Sequence, residues 1–150
     1  MCANNQIVQD IFSLITIVIA LVGTLTACFT YRNKVKNDRT KFLTQLLEKL
    51  TSHQEAIRMI EYGKWYEREK FHNSPDESKL DLYLTFLEYV LYLSEYNYIS
   101  KKEFKMFDYY FDSMKESEDL SNYFDLLEEY VKIRGTNYFP FFRLRNIKKT

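Results

Sequence analysis

The stretch IFSLITIVIALVGTLTACFTY, from Ile11 to Tyr31, runs for twenty-one residues without a charged side chain. Arg32, Lys34, Lys36, Arg39 and Lys41 follow at once. At about 1.5 Å of helix rise per residue the apolar run covers roughly 31 Å, the thickness of a bilayer's hydrocarbon core. It reads as a single transmembrane helix, and the rest of the chain is organised outward from it. Residues 1–10 form a short external N-terminus, 11–31 the span, and 32–41 a basic juxtamembrane linker. Residues 42–135 form a helical domain, and 136–150 a basic-aromatic C-terminal tail.

Charge sets the expected orientation. Residues 1–10 carry one acid, Asp10, and no Lys or Arg, whereas the other flank is dense in both. Basic flanks resist translocation. The expectation is a single-pass protein of the inner (cytoplasmic) membrane, with its N-terminus outside and its C-terminal domain cytosolic. An alternative is that Leu25-Thr26-Ala27-Cys28 is a bacterial lipobox, which would make Cys28 a lipidated N-terminus outside the membrane. The segment lacks the basic n-region that export signals carry. Cys2 and Cys28 are the chain's two cysteines and would lie at opposite ends of the span, so no disulfide is expected. A cysteine-free cytosolic part excludes thiolate zinc sites and a cysteine nucleophile there.

Small residues line one side of the span. Ser13, Thr16, Ala20, Gly23, Ala27 and Thr30 recur at spacings of 3 and 4, along one heptad seam. Such a seam lets helix backbones approach and lets hydroxyls bond across the contact, which points to a homo-oligomer. The other reading is an anchor that packs against nothing but lipid.

The remainder reads as all-α: a cytosolic bundle of four to five helices, low in Gly and Pro and rich in Leu, Tyr, Phe, Lys and Glu. Apolar spacing places a first helix at 38–62, ended by Gly63. Ser74 and Pro75 open a second, about 75–97, apolar nearly all round and hence central. Ser100 and Glu103 have capping-box spacing and open a third, with Phe104, Phe107, Phe111 and Met114 on one face. A fourth covers about 118–134, with Gly135 placed to cap its C-terminus.

The zero net charge conceals segregation. Residues 32–70 hold ten basic and six acidic groups, a net of +4. Residues 71–131 hold five and fourteen, a net of −9, and residues 132–150 hold six and none, a net of +6. A neutral chain of strongly signed parts offers both acidic faces and basic patches.

Motifs of catalysis are missing. There is no Gly-rich phosphate loop, no H-E-x-x-H and no G-x-S-x-G. The connection Tyr96–Ser100 lacks the oxygen ligands and central Gly of a calcium loop. His53 falls on an apolar stripe and reads as a core residue; His72 has no second His to form a metal pair. No catalytic residue, metal ligand or cofactor is assigned, and duplex nucleic acid is not an expected partner. The candidate ligand-binding residues are Lys64, Trp65, Arg68 and His72, with Arg143 and Arg145 behind the aromatic run Tyr138-Phe139-Pro140-Phe141-Phe142. Cations beside exposed rings hold phosphates while a base stacks. Three other readings stay open: the tail lies on anionic lipid, the aromatics close the core, or Trp65 and its neighbours only complete a helix end.

This layout resembles small membrane effectors of bacterial antiphage systems, in particular those of type III CRISPR systems that answer cyclic oligoadenylate. The likeness rests on the span 11–31, the junction Arg32–Lys41 and the basic clusters at 64–72 and 143–149. It implies a non-enzymatic sensor-effector in which a cyclic oligonucleotide binds basic residues of several subunits and shifts the attached helices so that the membrane leaks. A looser likeness, carried by Tyr83-Leu84-Thr85-Phe86-Leu87-Glu88 and Phe104, is to membrane-anchored helical domains of bacteria and prophages, and implies no activity. The rival function is a passive membrane-tethered scaffold that recruits a protein partner through its acidic helices.

Overall fold

The computed structural model describes residues 2–66, 71–136 and 138–149, with side chains from Leu14 to Ile147 within those bounds. All its regular structure is helical, with no strand among the described residues. The chain divides into two units, 1–47 and 48–150.

The described residues of the first unit, 2–47, are all helix, part of α1 (Cys2–Thr51). Every large apolar side chain from Leu14 to Tyr31 is exposed, Leu25 and Tyr31 to 69%. An 18-residue window reaches a mean hydropathy of 2.1 with nothing buried. Apolar surface of that extent is unfavourable in water. The helix is long and apolar enough to cross a membrane. Its hydroxyls suit that setting: Thr24, Thr26 and Thr30 each donate to the carbonyl four residues earlier, at 2.8 Å. In hydrocarbon each of those protons would otherwise lack an acceptor.

In the second unit the single helix expected over 38–62 is broken. α1 stops at Thr51 and α2 (Gln54–Tyr62) begins after two intervening residues, Ser52 and His53. Thr51 Oγ1 and Ser52 Oγ donate to the carbonyls of Glu48 and Lys49, at 2.8 and 2.6 Å. Short hydroxyl side chains compete in this way with the helix's own bonds, and a cluster of two favours a turn.

α3 (Pro75–Glu95) is the central helix, burying Leu80, Tyr83, Leu84, Phe86, Leu87, Val90, Leu91 and Leu93. Ser74 Oγ accepts from the N–H groups of Asp76 and Glu77, both at 3.2 Å, ahead of Pro75. The helix closes through Asn97 at φ +58°, with the Tyr98 N–H on the Leu93 carbonyl and the Asn97 N–H on that of Ser94. That left-handed residue completes a Schellman motif, and Asn is one of the few side chains suited to it.

The expected capping box is present: Ser100 and Glu103 reciprocally cap α4 (Lys101–Phe104). This third helix is segmented, however, passing through a 3₁₀ turn (Lys105–Phe107) into α5 (Asp108–Glu116). Phe107, Phe111 and Met114 are buried, while the partly exposed Phe104 stacks on Phe111 at 5.2 Å. α6 (Glu118–Ile133) is capped by Ser117 and ends at Gly135 (φ +65°), where a second Schellman pair joins Thr136 to Val131 and Gly135 to Lys132.

The segment read as a separate tail is part of the fold. It carries α7 (Phe142–Lys149), which packs on α3 and α5. Phe141 is 5% exposed and Leu144 fully buried. Two apolar residues three positions apart, on one side of the helix start, seat an otherwise basic helix.

Candidate functional site

The candidate residues fall into two groups that α3 keeps apart. His72 meets Glu77 near the start of α3, its Nδ1 3.5 Å from Oε1. Arg143 meets Glu88 and Glu95, eleven and more residues further along the same helix. At about 1.5 Å per residue the two groups are at least roughly 16 Å apart on α3.

In the first group, Gly63 and Lys64 both take positive φ (62° and 58°), turning the chain sharply out of α2. Asp119, in the first turn of α6, then accepts the Trp65 N–H at 2.7 Å and that of Tyr66 at 3.4 Å. Trp65 is thereby fixed inside the core with 0% exposure, its ring 4.7 Å from Phe71 and 5.9 Å from Tyr123. It is not a platform on which a base can stack. The core-closing reading of this ring is the one the geometry supports. Its Nε1 is buried with no protein partner. Lys64 and His72 are exposed, and Arg68 lies outside the described residues.

The second group surrounds the start of α7. Both oxygens of Glu88 are engaged there, Oε1 accepting the Arg143 N–H and Oε2 that of Leu144, each at 3.0 Å. The Arg143 guanidinium donates to Glu95 Oε2 at 2.7 Å and to Glu88 Oε1 at 3.3 Å, and lies 5.4 Å from the centre of the Tyr92 ring. These carboxylates, Glu95 foremost, hold it above its ordinary pKa. Arg145 pairs with Glu128 and lies 5.1 Å over Phe139. The sequence offered both guanidiniums to a phosphate; in the fold each already has a carboxylate and a ring.

Two surfaces emerge that the sequence reading did not isolate. One is a row of exposed tyrosines at the end of α3. Tyr89 and Tyr92 stack at 6.4 Å and 14°, Tyr92 and Tyr98 at 6.4 Å and 23°, and Tyr92 and Tyr96 approach to 4.6 Å. The signal was available, since Tyr89, Tyr92 and Tyr96 keep helical spacing along α3. The second is a cleft of about 660 Å³ between the start of α3 and the end of α6. Arg134, His72 and Tyr130 line it, over Leu127 and Val131. That volume suits a small ligand.

His53 caps α2 without a side-chain bond, and its ring lies 5.7 Å from Tyr83 and 5.6 Å from Phe86. Burial first, and Lys49 second, lower its pKa from 6.5. Between α3 and α6, Tyr123 donates to Asp81 Oδ1 at 2.7 Å. Burial raises the Asp81 pKa against the opposing effect of that bond. Among the described residues no cluster of three or more His, Cys, Asp or Glu is placed to hold a metal ion.

Of the seam, Gly23 has open space where a side chain would project, and Thr30 has its proton bound within the helix, so it is no donor across a contact. The Ser13 side chain lies outside the described residues. No family model, curated protein or solved structure matches the chain.

Proposed function

We propose that this protein is a non-enzymatic, membrane-anchored helical module that recruits a protein partner. It sits in the cytoplasmic membrane with its N-terminus outside and residues 48–150 in the cytosol, an orientation supported by the basic run 32–41. The observation that favours recruitment over capture of a polyanion is the engagement of Arg143 and Arg145 by Glu88, Glu95 and Glu128. A phosphate at either guanidinium would have to displace a carboxylate and leave that acid unpaired.

The sensor-effector reading, with a cyclic oligonucleotide as ligand in antiphage defence, keeps one specific support. Arg134 and the Tyr130 ring share the cleft of about 660 Å³ with His72 and its neighbour Glu77, so Arg134 is the cation there for a small aromatic anion. On that reading the ligand site is this cleft and the effect on the bilayer runs through self-associated spans.

Thermal unfolding of the full chain in lipid nanodiscs separates the two. The recruitment reading expects no shift with cyclic di- and oligonucleotides, and expects Arg143→Glu/Arg145→Glu to melt several degrees lower with nothing added, because each new acid faces an acid. A shift of several degrees with one cyclic nucleotide, lost in Arg134→Glu, would replace recruitment by ligand sensing.

A further inference from the structure

We infer that the cleft between the start of α3 and the end of α6 binds a carboxylate carried on an aromatic or aliphatic body, with Arg134 as its counter-ion. This site stands beside the recruitment reading and does not rest on it. Leu127, Tyr130, Val131 and Arg134 recur at i, i+3, i+4 and i+7 along α6 and its C-cap, and all four line the cleft. One helix face thus supplies an apolar floor, a ring and a cation in a row. Pro140 extends the floor. The volume of about 660 Å³ falls in the range of small-ligand sites, which are mostly apolar with a few placed polar groups.

The charge at this cleft is unbalanced in one place. Arg143 and Arg145 are each held by an acid, whereas Arg134 forms no ion pair among the described residues. The acid that shares the cleft, Glu77, is turned to its own loop: Oε2 accepts the Asn73 N–H and Oε1 lies 3.5 Å from His72 Nδ1. The two helix ends that border the cleft have opposite polarity, positive at the start of α3 and negative at the end of α6, so their dipoles offset. Arg134 is the charged group left without a partner there.

The supply of donors selects a carboxylate over a phosphate. A guanidinium fork matches either group. Phosphate sites add free backbone N–H groups, from a helix N-terminus or a nest, to satisfy the remaining oxygens and the second charge. Here those groups are spent on both rims. The N–H groups of Arg134, Gly135 and Thr136 donate to the carbonyls of Tyr130, Lys132 and Val131, and that of Ser74 to Phe71. The Asn73 N–H is held by Glu77. One bidentate cation is enough for a single carboxylate, and the apolar floor takes the body that carries it.

The test is calorimetric titration of the full chain in nanodiscs of neutral phosphatidylcholine. Phenylpropionate is compared with its amide, with phenyl phosphate, with a cyclic dinucleotide, and with a Phe-terminated hexapeptide whose C-terminal carboxylate is free. Phenylpropionate is expected to bind, and its amide to bind about tenfold more weakly or worse. Arg134→Gln should cost about tenfold in affinity and Arg134→Lys a smaller factor, since an ammonium keeps the charge and loses the fork. Arg58→Gln, which changes an exposed guanidinium on α2, should leave binding unchanged. Circular dichroism melts check that each variant folds. A peptide that outbinds phenylpropionate and loses that advantage in Arg134→Gln identifies the source of the carboxylate as a partner's C-terminus; the opposite order identifies a free small acid. Equal binding of acid and amide, or binding indifferent to Arg134→Gln, overturns the site. Tighter binding of phenyl phosphate or the cyclic dinucleotide through Arg134 overturns the choice of carboxylate and favours ligand sensing. No saturable binding of either carboxylate at about 10 mM also overturns the proposal, because a fragment of this size at ordinary ligand efficiency dissociates at roughly that concentration or below.

Discussion

Glu88, between three and four turns into α3, caps the first turn of α7: its two carboxylate oxygens each accept a backbone N–H, from Arg143 and Leu144, at 3.0 Å. A helix's opening N–H groups have no partner within the helix, and a side chain just before it normally provides one. Here the acceptor comes from another helix, 55 residues away in sequence, and the negative charge also suits the positive end of the α7 dipole.

Removing that acceptor should loosen α7. Glu88→Ala is expected to destabilise residues 48–150 by about 1–3 kcal/mol, because two donors lose a charged partner, or roughly 4–8 °C per kcal/mol for a domain of this size. Glu88→Gln, which keeps one acceptor, should lose less. Equal melting temperatures for wild type and Glu88→Ala would show that water replaces the cap freely.

Trp65 is the only tryptophan, so its fluorescence reports its own burial. Asp119→Ala removes the acceptor of the Trp65 N–H. The expected result is a red-shifted emission at temperatures where the secondary structure is intact, with about 1–3 kcal/mol lost in stability. Emission that stays blue in this variant would mean the aromatic packing alone seats the ring.

His53 and Asp81 give opposite pH dependences. The folded His53 pKa is lowered from 6.5, so its contribution is present above 6.5 and lost as pH falls through the lower folded value. Stability should therefore drop on acidification below 6.5, and His53→Leu should flatten that slope in denaturation curves. The folded Asp81 pKa is raised from 3.8, so its contribution is full below 3.8 and lost as pH rises through the raised value. Tyr123→Phe deletes the bond that holds this pKa down and should move the Asp81 window further upward, measurable by carboxyl NMR titration.

Gly23 has nothing within 4 Å of where a side chain would project from the span. Gly23→Leu should weaken self-association in bilayers. Thr30→Val should change it little, since the Thr30 hydroxyl already donates to the Thr26 carbonyl at 2.8 Å. A span whose oligomer survives Gly23→Leu uses some other face, or acts as an anchor alone.

What was legible in the sequence is what nearest neighbours along the chain decide. The apolar run 11–31 shows itself by composition, and Ser74, Ser100 and Gly135 mark their helix ends because a cap acts over three or four residues. The Thr51–His53 break was less legible, because apolar periodicity continues across it while two hydroxyls turn back onto the preceding carbonyls.

The candidate site was not settled at that level. Arg143 beside aromatics has the same sequence signature whether it awaits a phosphate or already holds an acid, and its acids are 48 and 55 residues away. Trp65 between Lys64 and Tyr66 looks like an exposed cationic-aromatic cluster until Asp119, 54 residues on, draws its backbone in and the ring enters the core. The sequence by itself determined that a helix long and apolar enough to cross a membrane precedes an all-helical domain, since those properties follow from period, composition and local caps. Only tertiary structure decided which cations are neutralised and which rings face solvent, because Coulomb and packing partners are chosen by distance in space.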